Sequence, residues 1–246
     1  MEHYIMNDIT RQFGFIQNID ERDNLFPVSS MLMETPFITE KYWWADGWWG
    51  DQGSSSMCVC YSFLHWLEDG PVVQDKLPST RSKPLYDPAK LYRACQERDE
   101  WPGVGNYNGT SVRAAAKIFK ELGIIKEYRW ASNITDVANT ILNLGPMVVG
   151  TKWYSNMNKT NSQGYVSPTG TNMGGHAYVL NGVDTVKKVF RLKNSWGKSY
   201  GQQGYAFITF NHFEKLLSDG GTACIAFENK LSTVPLLESL SPPTSA

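Results

Sequence analysis

The sequence predicts an α+β protein whose helices and strands are segregated into two lobes. Two observations carry that expectation. Up to about residue 145 the chain holds capped, amphipathic helical runs. After Gly145-Pro146 it turns to short β-branched and aromatic runs between turn residues. At 246 residues the chain suits one domain with two lobes, and pockets favour the cleft between such lobes.

The elements follow in order. Residues 1–35 have weak periodicity and read as an N-terminal arm or short leader. "YWWADGWWGDQG" sets four tryptophans between small turn residues, which suggests aromatic bodies pinned by tight loops. Residues 58–68 put Val59, Phe63, Trp66 and Leu67 on an apolar helical face that Gly70 ends. Asp87 before Pro88 reads as an N-cap with proline at the first helical position, and Leu91 and Cys95 share the next face. Thr110 or Ser111 opens a third helix, with Val112, Ala115, Ile118, Phe119 and Leu122 inside and Gly123 closing it. Residues 134–143 suit a fourth. "MVVGTKW", "HAYVLNGV", "KVFRLKN", "YAFITF" and "ACIAFE" then read as strands, 230–246 as a C-terminal tail, and its closing "SLSPPTSA" as disordered.

Composition narrows the function. The net charge is −1 and the basic residues are scattered, so nothing suggests an electrostatic nucleic-acid binder. No apolar run approaches the roughly 18 residues of a membrane span, and the start lacks a secretory signal pattern. Four cysteines (Cys58, Cys60, Cys95, Cys224) are too few and too spread for a disulfide scaffold. The expected location is cytoplasmic. No Cys/His cluster has metal-ligand spacing, and neither metal nor cofactor is expected.

A cysteine nucleophile needs a base, a group that orients the base, and donors for an oxyanion. Cys58 sits where the first apolar helix begins, a position that favours thiolate. Cys60 lies about 200° further round the helix and should turn toward the core. Of the four histidines, His3, His65 and His212 suit structural or solvated roles, while His176 follows Gly174-Gly175 and opens a strand. Asn194 ends another strand and is followed by Trp196-Gly197; its amide carbonyl could hold an imidazole N–H while the indole shields that bond.

Gln52-Gly53, Cys58, Gly174-Gly175-His176, Asn194-Ser195-Trp196-Gly197, Tyr200-Gly201 and Gly204-Tyr205, in that order, resemble the papain-like cysteine peptidases, and are closest to bacterial or phage-type members lacking a long pro-domain. The resemblance covers about residues 36–229. It implies a papain-like two-lobed fold, with a helical lobe at about 50–145, an antiparallel β-barrel-like lobe at about 146–229, and the active site between them. It further implies a Cys58–His176–Asn194 triad, an oxyanion hole made by the Gln52 side chain and the Cys58 N–H, and support from Trp196 and Gly175. Six positions separate the family's glutamine from its nucleophile, which selects Cys58; a register on Cys60 inserts two residues and displaces an oxyanion donor. Gly109 and Thr110 fall in a substrate-lining stretch. Glu228 or Asn229 falls near the pocket for the second residue before the cut, where an acidic floor favours a basic side chain.

The expected substrate is a peptide or protein. Several departures qualify the match. The family's usual Cys-Gly-Ser/Ala-Cys-aromatic signature is absent, Ser55 replaces a disulfide cysteine of secreted members, and Met57 adds bulk beside the thiol. About 35 residues precede the core, too few for the usual inhibitory pro-domain, so restraint is expected from elsewhere. The alternative expectation is a catalytically silent domain that serves, through an assembly partner, as a structural component of a larger body such as a phage particle.

Overall fold

A computed structural model describes residues 11–32, 38–43, 48–71, 83–99, 107–231 and 235–239. Among them, the chain forms β1 (Glu40–Tyr42), α1 (Cys58–Asp69), α2 (Pro88–Gln96), α3 (Val112–Glu121), β2 (Ile125–Trp130), α4 (Ile134–Asn143), β3 (Met147–Tyr154), β4 (Asn172–Asp184), β5 (Val189–Lys193), β6 (Tyr205–Thr209), α5 (Phe210–Ser218) and β7 (Thr222–Glu228). Short 3₁₀ turns cover Glu21–Leu25 and Val28–Met31.

Side-chain caps set the helix starts. The Asp87 carboxylate accepts from the Ala89 and Lys90 amides, with Pro88 at the first turn, where its missing N–H costs nothing. Ser111 rather than Thr110 caps α3, its hydroxyl accepting from the Ala114 amide. The Asn133 side chain accepts from the Asp136 amide at the start of α4. Helix α1 has no such cap: Met57 precedes it without a side-chain hydrogen bond.

The strands build one antiparallel sheet in the order β2-β7-β3-β4-β5-β6, with β1 added against β4. Strand β2 departs from a clean division into a helical first half and a strand-rich second half. Its Ile125 and Trp130 are buried while the residues between are partly exposed, a pattern too weak to read as a strand without its partner β7.

Two apolar clusters result. One lies under α1, α2 and α3 and includes Phe63, Trp66 and Phe119; the other joins the sheet to α4 and α5 through Trp153, Tyr178, Phe190 and Phe213. Helix α1 is buried nearly all round, because α2 and α3 cover one side and β4 the other. Its C-terminal end is fixed by charge. Asp69 accepts from the Lys193 ammonium (2.7 Å) and from the Asn181 amide (2.7 Å), and both ions are almost wholly buried. The N-terminal end of α1 instead meets the first half of β4, and there the two clusters adjoin.

Candidate active site

Helix α1 brings Cys58 to this junction, and β4 brings His176; both are fully buried. The Cys58 sulfur accepts from the Ala177 amide, which places it beside His176. His176 Nε2 lies 2.8 Å from Asn194 Oδ1. An amide oxygen can only accept, so this contact puts the proton on Nε2. It leaves Nδ1 buried and without a partner. The ring is boxed by Trp153 (4.7 Å between centroids), Trp196 (5.0 Å) and Phe13 (5.8 Å).

Gln52 completes the cluster. Its Oε1 accepts from the Ser195 hydroxyl (2.6 Å), and its backbone amide donates to the Ser195 carbonyl (2.8 Å). Those two bonds aim Nε2 away from Ser195, where it donates to the Ser55 carbonyl (2.7 Å) and to the Gln12 carbonyl (3.1 Å). The structure thus brings Gln52, Cys58, His176, Asn194 and Trp196 together, as the sequence motifs anticipate. Cys60 is a free thiol, hydrogen-bonded to that of Cys95 on α2.

Residues 12–17, read from sequence only as an arm of weak periodicity, occupy the groove over this cluster. The Thr110 amide donates to the Gly14 carbonyl (2.8 Å), the Ile16 amide to the Thr110 carbonyl (3.0 Å), and the Phe15 amide to the Gly175 carbonyl (3.0 Å). Absence of side chains permits this approach: a Cβ on Gly175 would collide with the Phe15 carbonyl oxygen, and one on Gly14 with the Ser56 carbonyl oxygen. The Phe15 ring fills space left open by Gly150. From this segment the Gly14 amide N–H donates to the Cys58 sulfur.

Gly109 and Thr110 divide their work. The Gly109 amide is the donor and the Tyr92 hydroxyl the acceptor (2.6 Å), while the Thr110 hydroxyl donates to the half-buried Asp99 carboxylate (2.6 Å). The Thr110 backbone is left to face the groove. Burial pushes the Asp99 carboxyl up despite its donors.

Glu228 is a correction. It ends β7 beside Gly70, at the far end of α1 from Cys58, a helix about 18 Å long at 1.5 Å per residue. The part of β7 near the groove is its start, where Thr222 pairs with Gly150. Reading the strand from its acidic end put the wrong terminus at the site. Asn229 lies with Glu228, donating to the Gly123 carbonyl.

Burial dominates the electrostatics. It raises the Cys58 thiol to about 11, although the Ala177 and Gly14 amides oppose it. It lowers His176 to about 4; the Asn194 bond opposes that shift and the charge on Arg11 adds to it. With residues 12–17 in place, thiol and imidazole are therefore both neutral at pH 7. Among the described residues, no group of three or more His, Cys, Asp or Glu side chains gathers to hold a metal ion.

Comparison with known proteins agrees with this architecture. The sequence profile of the papain family cysteine proteases matches residues 89–219, just over half of the chain. The chain belongs to that family, and the enzyme it defines is a papain-like cysteine peptidase acting on peptide or protein substrates. The match includes His176 and Asn194 but stops short of Gln52 and Cys58. Among solved structures, xylellain, a cysteine protease from Xylella fastidiosa, is similar with a TM-score of 0.66 at 18% identity, covering 88% of this chain and 96% of that one. The digestive procathepsin L2 proteinase of Tenebrio molitor larval midgut gives 0.62 at 18% identity, covering 88% and 78%. The bromelain protease of Ananas comosus, in complex with the E64 inhibitor, gives 0.53 at 15% identity, covering 78% and 100%. At these identities the structures speak for the fold. Among curated proteins none matches significantly.

Proposed function

We propose that this chain hydrolyses peptide bonds with Cys58 as nucleophile, His176 as base and then acid, and Asn194 as the group that orients His176. The observation that carries the reading is the His176–Asn194 contact, which holds the proton on Nε2 and leaves Nδ1 bare, in a ring next along the chain to the Ala177 amide that meets the Cys58 sulfur. In an open cleft the Cys58 proton passes to Nδ1. The thiolate then attacks the substrate carbonyl carbon, the imidazolium protonates the leaving amine, and water releases the acyl group from sulfur. Gln52 Nε2 and the Cys58 N–H at the start of α1 serve as oxyanion donors. Trp196 shields the His176–Asn194 bond from water.

At rest, residues 12–16 hold this machinery closed. The Gln12 carbonyl takes the Gln52 donor, the Gly14 N–H takes the thiol, and Phe15 takes the neighbouring pocket. That segment supplies the restraint that the sequence leaves without a source. Hydrolysis of a fluorogenic peptide panel by the wild type and by Cys58→Ala tests the reading. Turnover is expected to vanish in the variant, and persistence of cleavage there would remove Cys58 as nucleophile. The alternative of a silent assembly component draws on no contact among the described residues.

A further inference from the structure

His65 lies on α1 seven residues after Cys58, which returns it to the same helical face about 10 Å along the axis. Its ring is completely buried between Trp48 (5.1 Å between centroids), Trp49 (6.1 Å) and Tyr61 (6.4 Å). The Gly50 amide donates to its Nε2 at 3.0 Å. A backbone N–H can only donate, so Nε2 must be the bare nitrogen and the proton sits on Nδ1, which is buried without a partner. A buried nitrogen left unpaired carries a free-energy cost. What the contact achieves is placement of Gly50.

Gly50 starts the short stretch that carries Gln52. On the β side that stretch is tied to the Asn194–Gly197 turn: the Gly197 amide donates to the Gly50 carbonyl (3.3 Å), Asp51 bridges Trp196, and Gln52 bonds Ser195 at both amide and side chain. On the helix side, His65 ties it to the element that carries Cys58. The two proposed oxyanion donors, Gln52 Nε2 and the Cys58 N–H, come from these two elements and must converge on one oxygen at about 3 Å each.

We infer that His65 is a positioning residue for the oxyanion hole, fixing the Gly50–Gln52 stretch on α1 so that Gln52 and Cys58 donate to the same point. This rests on the peptidase reading above. The imidazole is suited to the task because it stays neutral. Burial lowers its proton affinity well below the ordinary value, and the Lys193 ammonium, 4.6 Å from the Trp49 ring, lowers it further. Asp69, one turn along α1, is engaged by Lys193 and Asn181. A protonated ring would set N–H against the Gly50 N–H.

The test is a double-mutant cycle in the full chain, measuring kcat and KM on one fluorogenic peptide and the iodoacetamide rate at Cys58. His65→Leu is expected to lower kcat about tenfold with KM nearly unchanged, the scale of a misplaced oxyanion donor, while the Cys58 alkylation rate holds. His65→Gln, whose carbonyl oxygen can accept from Gly50, should restore most of the loss. In a Gln52→Ala background, His65→Leu should cost less than about twofold, because the residue acts through Gln52. An equal loss in both backgrounds, or no loss in the single variant, overturns the inference. Where His65→Leu does not fold, His65→Gln and His65→Asn decide, since the shorter amide falls short of Gly50; equal kcat in these two overturns it. Absence of both turnover and selective Cys58 alkylation in the wild type and in Gly14→Val, which frees the groove, instead removes the peptidase reading itself, and this inference with it.

Discussion

Gly14 lies against the Ser56 carbonyl so closely that a Cβ on Gly14 would collide with that oxygen. The clash would be with backbone, which cannot swing aside as a flexible side chain can. Gly14→Val should therefore lift residues 12–16 from the groove without touching the proposed triad. Alkylation of Cys58 at pH 7 should rise about tenfold or more, the effect of removing roughly 1.4 kcal/mol of docking free energy, and peptide turnover should rise with it. Unchanged rates would mean that the segment does not restrain the site.

Further along the same segment, the Arg113 guanidinium grips the Asp23 carboxylate with both terminal nitrogens and lies 3.7 Å from Asp20. Without the carboxylate, the nearly buried Arg113 guanidinium would lose both of its short bonds to this segment. Asp23→Asn should loosen the segment, seen as faster hydrogen exchange at the Phe15 and Ile16 amides. Protection equal to wild type at both amides would place the anchor elsewhere.

Docking should also depend on pH. His176 takes up its proton near 4 when buried, against an ordinary value of 6.5, so the closed state binds fewer protons between those limits. Its contribution to closure is complete above about pH 6.5 and is lost as pH falls toward 4. On the alkaline side, burial holds the Cys58 thiol up to about 11 in the closed state, so its contribution to closure is lost as pH rises toward 11. Asp23 runs against His176 in acid, since burial raises its carboxyl and favours the protonated closed form. Exchange at the Phe15 amide, followed from pH 4 to 7 in Asp23→Asn with and without His176→Ala, separates the histidine from Asp99, whose carboxyl burial also raises beneath Thr110. It should show opening on acidification; a flat profile would contradict the linkage.

Asp69 is the acceptor for a buried ammonium, and Asp69→Ala would strand Lys193 in an apolar surround. The expected loss is about 3–5 kcal/mol of stability, read as a lower midpoint in urea unfolding. A loss below about 1 kcal/mol, the range of surface pairs, would mean that the pair is solvated.

Glu228 sits at the wrong end of α1 to touch a substrate near Cys58, whereas Phe15 shows that the space beside Gly150 takes an aromatic ring. Peptides with an aromatic or large apolar side chain for this pocket should be preferred over basic ones, and Glu228→Ala should leave that ranking unaltered. A switch in ranking in Glu228→Ala would restore Glu228 to the pocket.

Much of this architecture is legible in the chain itself, because the signals are local. Asp87-Pro88 and Ser111 announce helix starts, and the motifs at Gln52, Cys58, His176 and Asn194 carry fixed spacings that the fold brings together. What escaped depends on partners distant in sequence. Strand β2 forms because β7 lies beside it, and no periodicity within Ile125–Trp130 shows that. The segment around Phe13-Gly14-Phe15 has no helical or strand period, since its order comes from hydrogen bonds to Thr110 and Gly175; a glycine between two aromatics was the one hint available. Glu228 was misplaced because a strand's residue types do not say which end faces the cleft. The role of His65 was hidden for a related reason: its partner, the Gly50 amide, exists at every position of every sequence.

The most direct measurement is iodoacetamide labelling of all four cysteines from pH 4 to 9, mapped by peptide, in the wild type, in Gly14→Val, and in Gly14→Val with His176→Ala. In Gly14→Val, Cys58 should be labelled selectively well below the ordinary thiol range of about 8.5, and faster than in the wild type. That acid-side reactivity should disappear without His176, while Cys60, Cys95 and Cys224 stay slow. Labelling of Cys58 only near the ordinary thiol range, or preferential labelling of Cys60, would contradict a Cys58–His176 pair as the working centre of this enzyme.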